Sequence, residues 1–586
     1  MTTLAWLFVV ASLTSPETTI SVTTPMVPPG WALAERAYLD KSVEAVEEHA
    51  AKYLDERGYL RCVERWGGND GPDDAMEVFH NWPLLHALGA DDRVLHLYKK
   101  AWEGHLKQYT EARAPGIPMA EDGMYYREFI TAFDWEHTGE GLQAFYHYGL
   151  SRPNDRRYLA RMRRFAGFYM NEDPEALNYD PKHKLIRSLH NGSRGPKLTA
   201  ATQQDWGGLP VEGDPNRLAR YDTASNIRGD HSLNLCACTL AMTAYMLTGE
   251  TKYRHWILEY ATAWRDRILE NGGNIPTNIG LDGTIGGEWD GKWYGGTFGW
   301  NFYPQSHGRN YYIRGPKIAF GECIQLTGDF GYTEPLRQQI ENLYKASKII
   351  DGVRHFPNKY GDDGWYGYTT SSRREVQKAI YLFTMDPHDA RRLGDDGWLS
   401  FLAGRDSGYP LRALQAEFEV MRKRIEEMRV DPTTEETRAS DWAQGYNPIN
   451  CGTLVNLMLG GGDPGKSGNV LQSRVRYFDL KRRRAGLPLD VAALIDRIES
   501  DSISLTLVNT SPQHARTVIV QMGAYAEHHC QTVTVENATS TAVDATHFTV
   551  ELAPGTGARM RVTMKRFVHQ PTLSFPWDRG WMVRDS

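Results

Sequence analysis

Six short segments hold most of the side chains in this sequence that could bind or transform a polar ligand. They are MEVFHNW (76–82), FDWEHTGEG (133–141), ASNIRGDHS (224–232), RNYYIRGP (309–316), DDGWYGYTTSS (362–372) and DWAQGYNPIN (441–450). Two chemistries fit them. Elimination at a uronic acid needs a cation or amide to neutralise the sugar carboxylate, a base, and an acid for the leaving oxygen. Asn226 and Arg228 supply the first, and His231 or Tyr311 the proton transfers, with His137 and Glu136 as further catalytic candidates. Hydrolysis needs two carboxyl groups flanking the scissile bond, and Glu136, Glu140, Asp222, Asp230, Glu288 and Asp363 are the candidates. The main expectation is a polysaccharide lyase cleaving a uronic-acid-containing polymer by β-elimination, and the alternative is a glycoside hydrolase.

Substrate contacts are expected from the same segments: His80, Asn81, Trp135, Arg309, Arg314, Asp363, Trp365, Tyr368 and Trp442. A long Gly/Trp loop, NIPTNIGLDGTIGGEWDGKWYGGTFGWNF (274–302), adds Trp293 and Trp300 as stacking faces for sugar rings. Loops of this length inside compact domains are usually functional. No metal is expected, because Glu136-His137 has no second ligand at helical spacing. Nor is a cofactor: the 274–302 loop is no phosphate cradle, since no Lys-Ser/Thr follows its glycines at a helix-opening position and no G-x-G-x-x-G follows a strand there, and the sequence has no G-x-S-x-G.

The elements that must position these segments are helix hairpins. LLHALGADDRVLHLYKKA, FYHYGLSRPNDRRYLARM, AYMLTGETKYRHWILEYA and CIQLTGDFGYTEPLRQQI each end one helix at a glycine (Gly89, Gly149, Gly249, Gly328) and begin another with polar residues. Weaker copies are YLFTMDPHDARRL and LMLGGGDPGKSGN. The first helix of a pair is apolar nearly all round, as in LNLCACTLAMTAYM, and the second is amphipathic, as in YRHWILEYATAWRDRI. Inner apolar helices paired about six times with outer amphipathic ones predict a mainly α fold, an (α/α)6-type toroid. Its six lead-in segments would gather at one end of a central cavity.

From about residue 486 the pattern alternates in Val- and Thr-rich runs, as in SISLTLVNTS and HFTVELAPGTGARMRVTMKR, which is strand behaviour. The division expected is a leader over 1–30, a toroid over 31–485, and a small antiparallel β-sandwich over 486–586 whose tail packs back on the toroid. The apolar run Leu4–Leu13 is signal-like and too short for a span, so a periplasmic or secreted protein is expected, with a cytoplasmic one as the alternative. A net charge of −7 without a basic run argues against nucleic acid as partner. Six scattered cysteines make neither a zinc site nor a disulfide framework.

Hairpins with L-T-G-[DE] turns, an acid- and aromatic-lined mouth and a trailing β-domain resemble the α/α-toroid carbohydrate-active enzymes, among them glycoside hydrolases and polysaccharide lyases. The resemblance is one of architecture and covers most of the chain. It implies a polysaccharide or oligosaccharide as the substrate.

Overall fold

The computed structural model describes residues 18–62, 72–111, 140–172, 174, 177–187, 229–287, 290–294, 313–465, 468–536 and 538–581. Helices and β-sheets form two layers. The principal helices are α1 (Gly30–Tyr53), α2 (Trp82–Leu88), α3 (Asp92–Glu111), α4 (Gln143–Ser151), α5 (Arg156–Gly167), α6 (Cys238–Thr248) and α7 (Thr251–Glu270). They continue with α8 (Arg314–Thr327), α9 (Glu334–Lys345), α10 (Arg374–Thr384), α11 (Tyr409–Arg429) and α12 (Gly452–Leu454), the last extended by a π-helical turn, Val455–Leu459. None of the described helices is long and apolar enough to cross a membrane.

Burial separates the two kinds of helix as their sequences require. Every residue of α2 and α4 is buried, and α6 is buried from Cys238 to Met246. In α7 only Tyr253, Trp256, Ile257, Tyr260, Ala261, Trp264 and Ile268 are buried, the stripe that 3.6 residues per turn places on one face. Along the chain α2 packs on α4, α4 on α6, α6 on α8 and α8 on α10. The segment leading into α12 returns to α2: Asn447 Nδ2 donates to Asn81 Oδ1 at 3.1 Å, and Asn81 Nδ2 to the Ile449 carbonyl at 2.6 Å.

Gly249 and Gly328 cap α6 and α8 in the left-handed conformation (φ 72° and 71°), and Gly89 ends α2 at φ 129°. Gly149 departs from expectation, since it lies inside α4, which runs on to Ser151. A Cβ there would lie 2.8 Å from the Tyr158 hydroxyl and 2.9 Å from Leu573. It is glycine for close packing, a need that turn chemistry does not reveal.

The principal strands are β1 (Thr19–Val22), β2 (Val353–Gly361), β3 (Gly364–Thr369), β4 (Val475–Asp479), β5 (Arg484–Ala485), β6 (Val491–Ile498) and β7 (Ser502–Asn509). After them come β8 (Arg516–Met522), β9 (His529–Val535), β10 (Ser540–Ala545), β11 (His547–Leu552) and β12 (Gly557–Lys565). One sheet has the order β1-β11-β8-β4-β5 and another the order β10-β9-β12-β7-β6. Two details correct the expected division. Residues 19–22 are not leader but an edge strand, paired parallel to β11 with Ile20 opposite Val550, so the sheets are not wholly antiparallel. They also begin at Val475, before residue 486. The signal-like run before residue 18 lies outside the described residues.

The β layer covers one end of the helical layer, and it does so with hydrogen bonds. A helix leaves its last four carbonyls without helical partners. Here each of α2, α4, α6, α8, α10 and the turn after α12 has a terminal carbonyl taken by a donor from the sheets or the tail. Leu487 N donates to Leu88 O at 3.3 Å, Leu573 N to Met246 O at 2.9 Å, and Gln570 Nε2 to Leu326 O at 3.5 Å. Arg566 Nη1 donates to Phe383 O at 2.6 Å, Tyr477 OH to Met458 O at 2.7 Å, and Arg476 to Leu150 O. The six helices therefore end at one side and begin at the other.

On the outside, α1 is tied to β6: Ala493 N donates to Glu35 Oε1 at 3.0 Å and Arg36 Nη1 to Val491 O at 3.2 Å. Burial pushes the Glu35 carboxyl up to about 8 from 4.5, against the Ala493 amide and Arg36, which lower it. A folded value above the unfolded one means that stability is full below pH 4.5 and falls as pH rises toward 8, by up to about 5 kcal/mol. Glu35→Gln should remove that decline, so its melting temperature should exceed wild type above pH 8 and approach it near pH 4. A second expectation concerns Gly229 (φ 100°), where a Cβ would fall 1.9 Å from the Ile279 carbonyl oxygen. Gly229→Ala should cost at least about 3 kcal/mol in denaturant unfolding.

Candidate functional site

A cavity of roughly 240 Å³ lies between α8, α10 and the chain that follows α12. Its walls carry Lys317 and Gln325 from α8, Glu375, Lys378 and Phe383 from α10, and Asn456, Asp463, Asn469 and Gln472 from the third side. Arg474, Glu527, His528 and Phe567 close the end nearest the sheets. Lys317 lies in the first turns of α8 and Gln325 in its last turn, so at 1.5 Å per residue the cavity is about 12 Å deep.

At the upper end Lys317 is walled in by protein yet reachable from the cavity. Burial lowers its ammonium, while Glu375 and Asp463 both raise it, and Arg314 adds to the lowering. Two carboxylates on different elements thus act on one cation. Both are solvent-exposed. Lys378 is turned aside, with its ammonium 3.1 Å from Asp396 Oδ2 and 4.7 Å from the Trp398 ring centre.

An aromatic cluster joins the β2–β3 hairpin to residues 290–294. The Trp293 ring is 4.7 Å from Tyr360 and 6.3 Å from Trp365; Tyr360 and Trp365 are 4.9 Å apart, as are Tyr294 and Tyr360. Lys292 Nζ and Tyr294 OH both donate to Asp362 Oδ1 at 2.8 Å, pinning the 277–294 loop to the β2–β3 hairpin. The rings are half-buried, which leaves faces for a ligand to stack on. The hairpin leads within a few residues into α10 and Glu375.

The expected site residues separate into groups. Trp293 and Trp365 meet in the aromatic cluster, and Arg314 opens α8 one turn before Lys317. Asp363 is exposed at the hairpin tip. Tyr368 does not join them. Side chains alternate along β3, and Tyr368 faces the other way, donating to the Ala346 carbonyl at 3.2 Å under Lys348.

His80, Asn81 and Trp442 do not line this cavity. Asn81 forms the clamp to Asn447 and Ile449, and His80 Nδ1 is 2.8 Å from the Glu77 carbonyl. Trp442 donates to Asp431 at 3.3 Å. His231 is 1% exposed, is not among the cavity's lining residues, and has its backbone N–H on Asp230. Glu136, His137, Trp135, Asn226, Arg228, Trp300, Arg309 and Tyr311 lie outside the described residues, as do Asp222 and Glu288.

Asp230 is corrected from hydrolytic candidate to structural node. Its carboxylate accepts from His231 N (2.8 Å), Asn234 Nδ2 (2.9 Å), Tyr260 OH (3.1 Å), Ile186 N (3.1 Å) and Trp264 Nε1 (2.9 Å). Burial nonetheless raises it to about 6. Completely buried, it joins α7, the 3-10 turn Ser232–Ala237 that leads into α6, and the segment at Ile186. The described residues contain no cluster of His, Cys, Asp and Glu able to hold a metal ion.

Sequence reasoning missed Lys317, Gln325, Glu375, Asp463, Arg474 and His528. Two left a signal. Lys317 directly follows RNYYIRGP, and Glu375 stands three residues after DDGWYGYTTSS; each lies in the first turn of a helix that lines the cavity. The other four come from helix ends and from the sheets, where only packing brings them to one space.

Comparison with curated proteins gives no match. Among solved structures the chain is similar to an inactive variant of an α-1,6-mannanase of Salegentibacter sp. HEL1_6 in complex with α-1,6-mannotetrose. The identity is 11% and the TM-score 0.30, over 71% of this chain and 98% of that one. That protein is a glycoside hydrolase, where the residue pattern led us to expect a lyase, and the lyase expectation is withdrawn on that finding; at this TM-score the likeness lends nothing further. The chain belongs to the family described as Domain of unknown function (DUF8034), whose model matches residues 19–355 and 394–455, well over half its length.

Proposed function

We propose that the protein is a glycoside hydrolase acting on a polysaccharide or oligosaccharide, uronic-acid-containing or related. In this reading α2, α4, α6, α8, α10 and α12 close an α/α toroid, the two five-stranded sheets pack as a sandwich beneath it, and the cavity beside α8 and α10 is the active centre. The observation that carries the proposal is the pair Glu375 and Asp463, on separate walls of one cavity, both acting on Lys317. Glycosidic cleavage through an oxocarbenium-like state calls for two carboxyl groups in such an arrangement, one to protonate the leaving oxygen and the other to attack or to activate water. Trp293 and Trp365 give the incoming glycan a stacking face. A signal-like leader before residue 18 suits an enzyme that meets its polymer outside the cytoplasm.

The test is release of reducing ends from a panel of neutral and uronic-acid-containing polysaccharides. Glu375→Gln and Asp463→Asn should each lower kcat by about 10²- to 10⁴-fold while leaving the melting temperature unchanged, since both side chains are exposed. Activity within threefold of wild type in either variant would remove that residue from the mechanism. Trp365→Ala should raise KM about tenfold, the loss of one stacking contact of roughly 1.4 kcal/mol, with kcat within about twofold. An unchanged KM would assign the aromatic cluster to hairpin stability alone.

A further inference from the structure

The end of the cavity nearest the sheets is sealed. Arg566 holds the Phe383 carbonyl of α10, Gln570 the Leu326 carbonyl of α8, and Tyr477 the Met458 carbonyl after α12. The Phe567 carbonyl oxygen lies where a Cβ on Gly328 would meet it at 3.1 Å. His528 and Glu527 are each 1% exposed and Arg474 5%. Among the described residues, a chain that enters beside Lys317 meets no exit about 12 Å farther on.

Three polar atoms on this floor have no hydrogen-bond partner among the described residues: Gln325 Oε1, Arg474 Nε and His528 Nε2. Each belongs to a residue that lines the cavity and is at least nine-tenths buried. Their neighbouring atoms are committed. Gln325 Nε2 donates to Leu471 O at 3.4 Å, and Arg474 Nη2 to Leu382 O at 2.6 Å. His528 Nδ1 accepts from Phe567 N at 3.1 Å, which leaves the proton on Nε2. Buried polar groups of this kind are rarely left unmatched, because each costs about 1–3 kcal/mol.

The floor therefore offers two donors and one acceptor. That is the complement of adjacent hydroxyl groups, which both accept and donate. A carboxylate would face the Gln325 oxygen and the Glu527 carboxyl group, whose Oε1 is 3.9 Å from His528 Nε2.

We infer that the sealed floor formed by Gln325, Arg474 and His528 binds the hydroxyl edge of a neutral terminal sugar, so that the enzyme acts on chain ends and not within the chain. This rests on the glycosidase reading and adds to it which end of the cavity holds the terminal ring and the mode of attack.

Binding is measured on the full-length protein with D-glucose, D-mannose, D-galactose and D-glucuronate singly, by calorimetry and saturation-transfer NMR. At least one neutral hexose should bind, and Gln325→Leu and His528→Phe should each weaken it at least tenfold. Failure of every neutral hexose to bind wild type overturns the inference, as does binding undiminished in a variant that melts like wild type. Binding of glucuronate alone overturns the neutral class. If both variants fail to fold, the wild-type titrations decide by themselves. On an end-labelled oligosaccharide series, the first product should be a mono- or disaccharide from one terminus, with polymer viscosity unchanged. A rapid fall in viscosity overturns end-on action and leaves the glycosidase standing. Hexose binding without cleavage of any glycan overturns the glycosidase and leaves the subsite.

Discussion

The end of a helix is a row of carbonyls that need donors, and in this protein the β layer supplies them to six helices at once. Leu487, Arg476, Leu573, Gln570, Arg566 and Tyr477 each take a terminal carbonyl. Three are long cationic or amide side chains, two are backbone amides and one is a phenol, so the requirement is geometric and not tied to a residue type. Since all six helices must deliver their last turn to the same surface, they share one polarity. Their first turns then lie at the opposite end.

That arrangement also sorts the ionisable groups. Groups locked between layers have lost their chemistry to structure: Asp230 accepts five hydrogen bonds, and Glu35 is held up near 8 by burial against β6. His147, buried beside His80, is pushed down to about 3 and stays neutral. Glu375 and Asp463, at the open end, are exposed to solvent. Between these extremes lies the cavity floor, dry enough for an unmatched donor to be costly and roomy enough for a ligand to match it. The pairing of wet carboxylates above with unmatched dry donors below makes this cavity a site, where neither feature would alone.

Much of the scaffold could be read locally. Gly249 and Gly328 stand after apolar helices and before capped amphipathic ones, and they adopt the left-handed conformation that a C-cap requires. The same pattern misled at Gly149, because a glycine demanded by a tyrosine and a leucine pressing on a helix resembles one demanded by a turn. Trp293 and Trp365 both stand in Gly-rich stretches of the sequence, and in the fold their rings meet. Tyr368, three residues from Trp365, was not separable from it without knowing that the segment is a strand, whose alternation sends the two rings to opposite faces.

The sequence by itself determined the hairpin series, the division into apolar and amphipathic helices, the strand-rich end and the concentration of polar residues before each apolar helix. All of these follow from periodicity and from capping, which act over fewer than about ten residues. Only the tertiary structure decided that residues 19–22 complete a sheet with residues 547–552, that Glu375 and Asp463 share a cation, and that Gln325, Arg474 and His528 share a floor. Those groupings join segments tens to hundreds of residues apart. No local preference encodes them, and they arise only when the helix ends are brought to a common surface and their carbonyls are satisfied there.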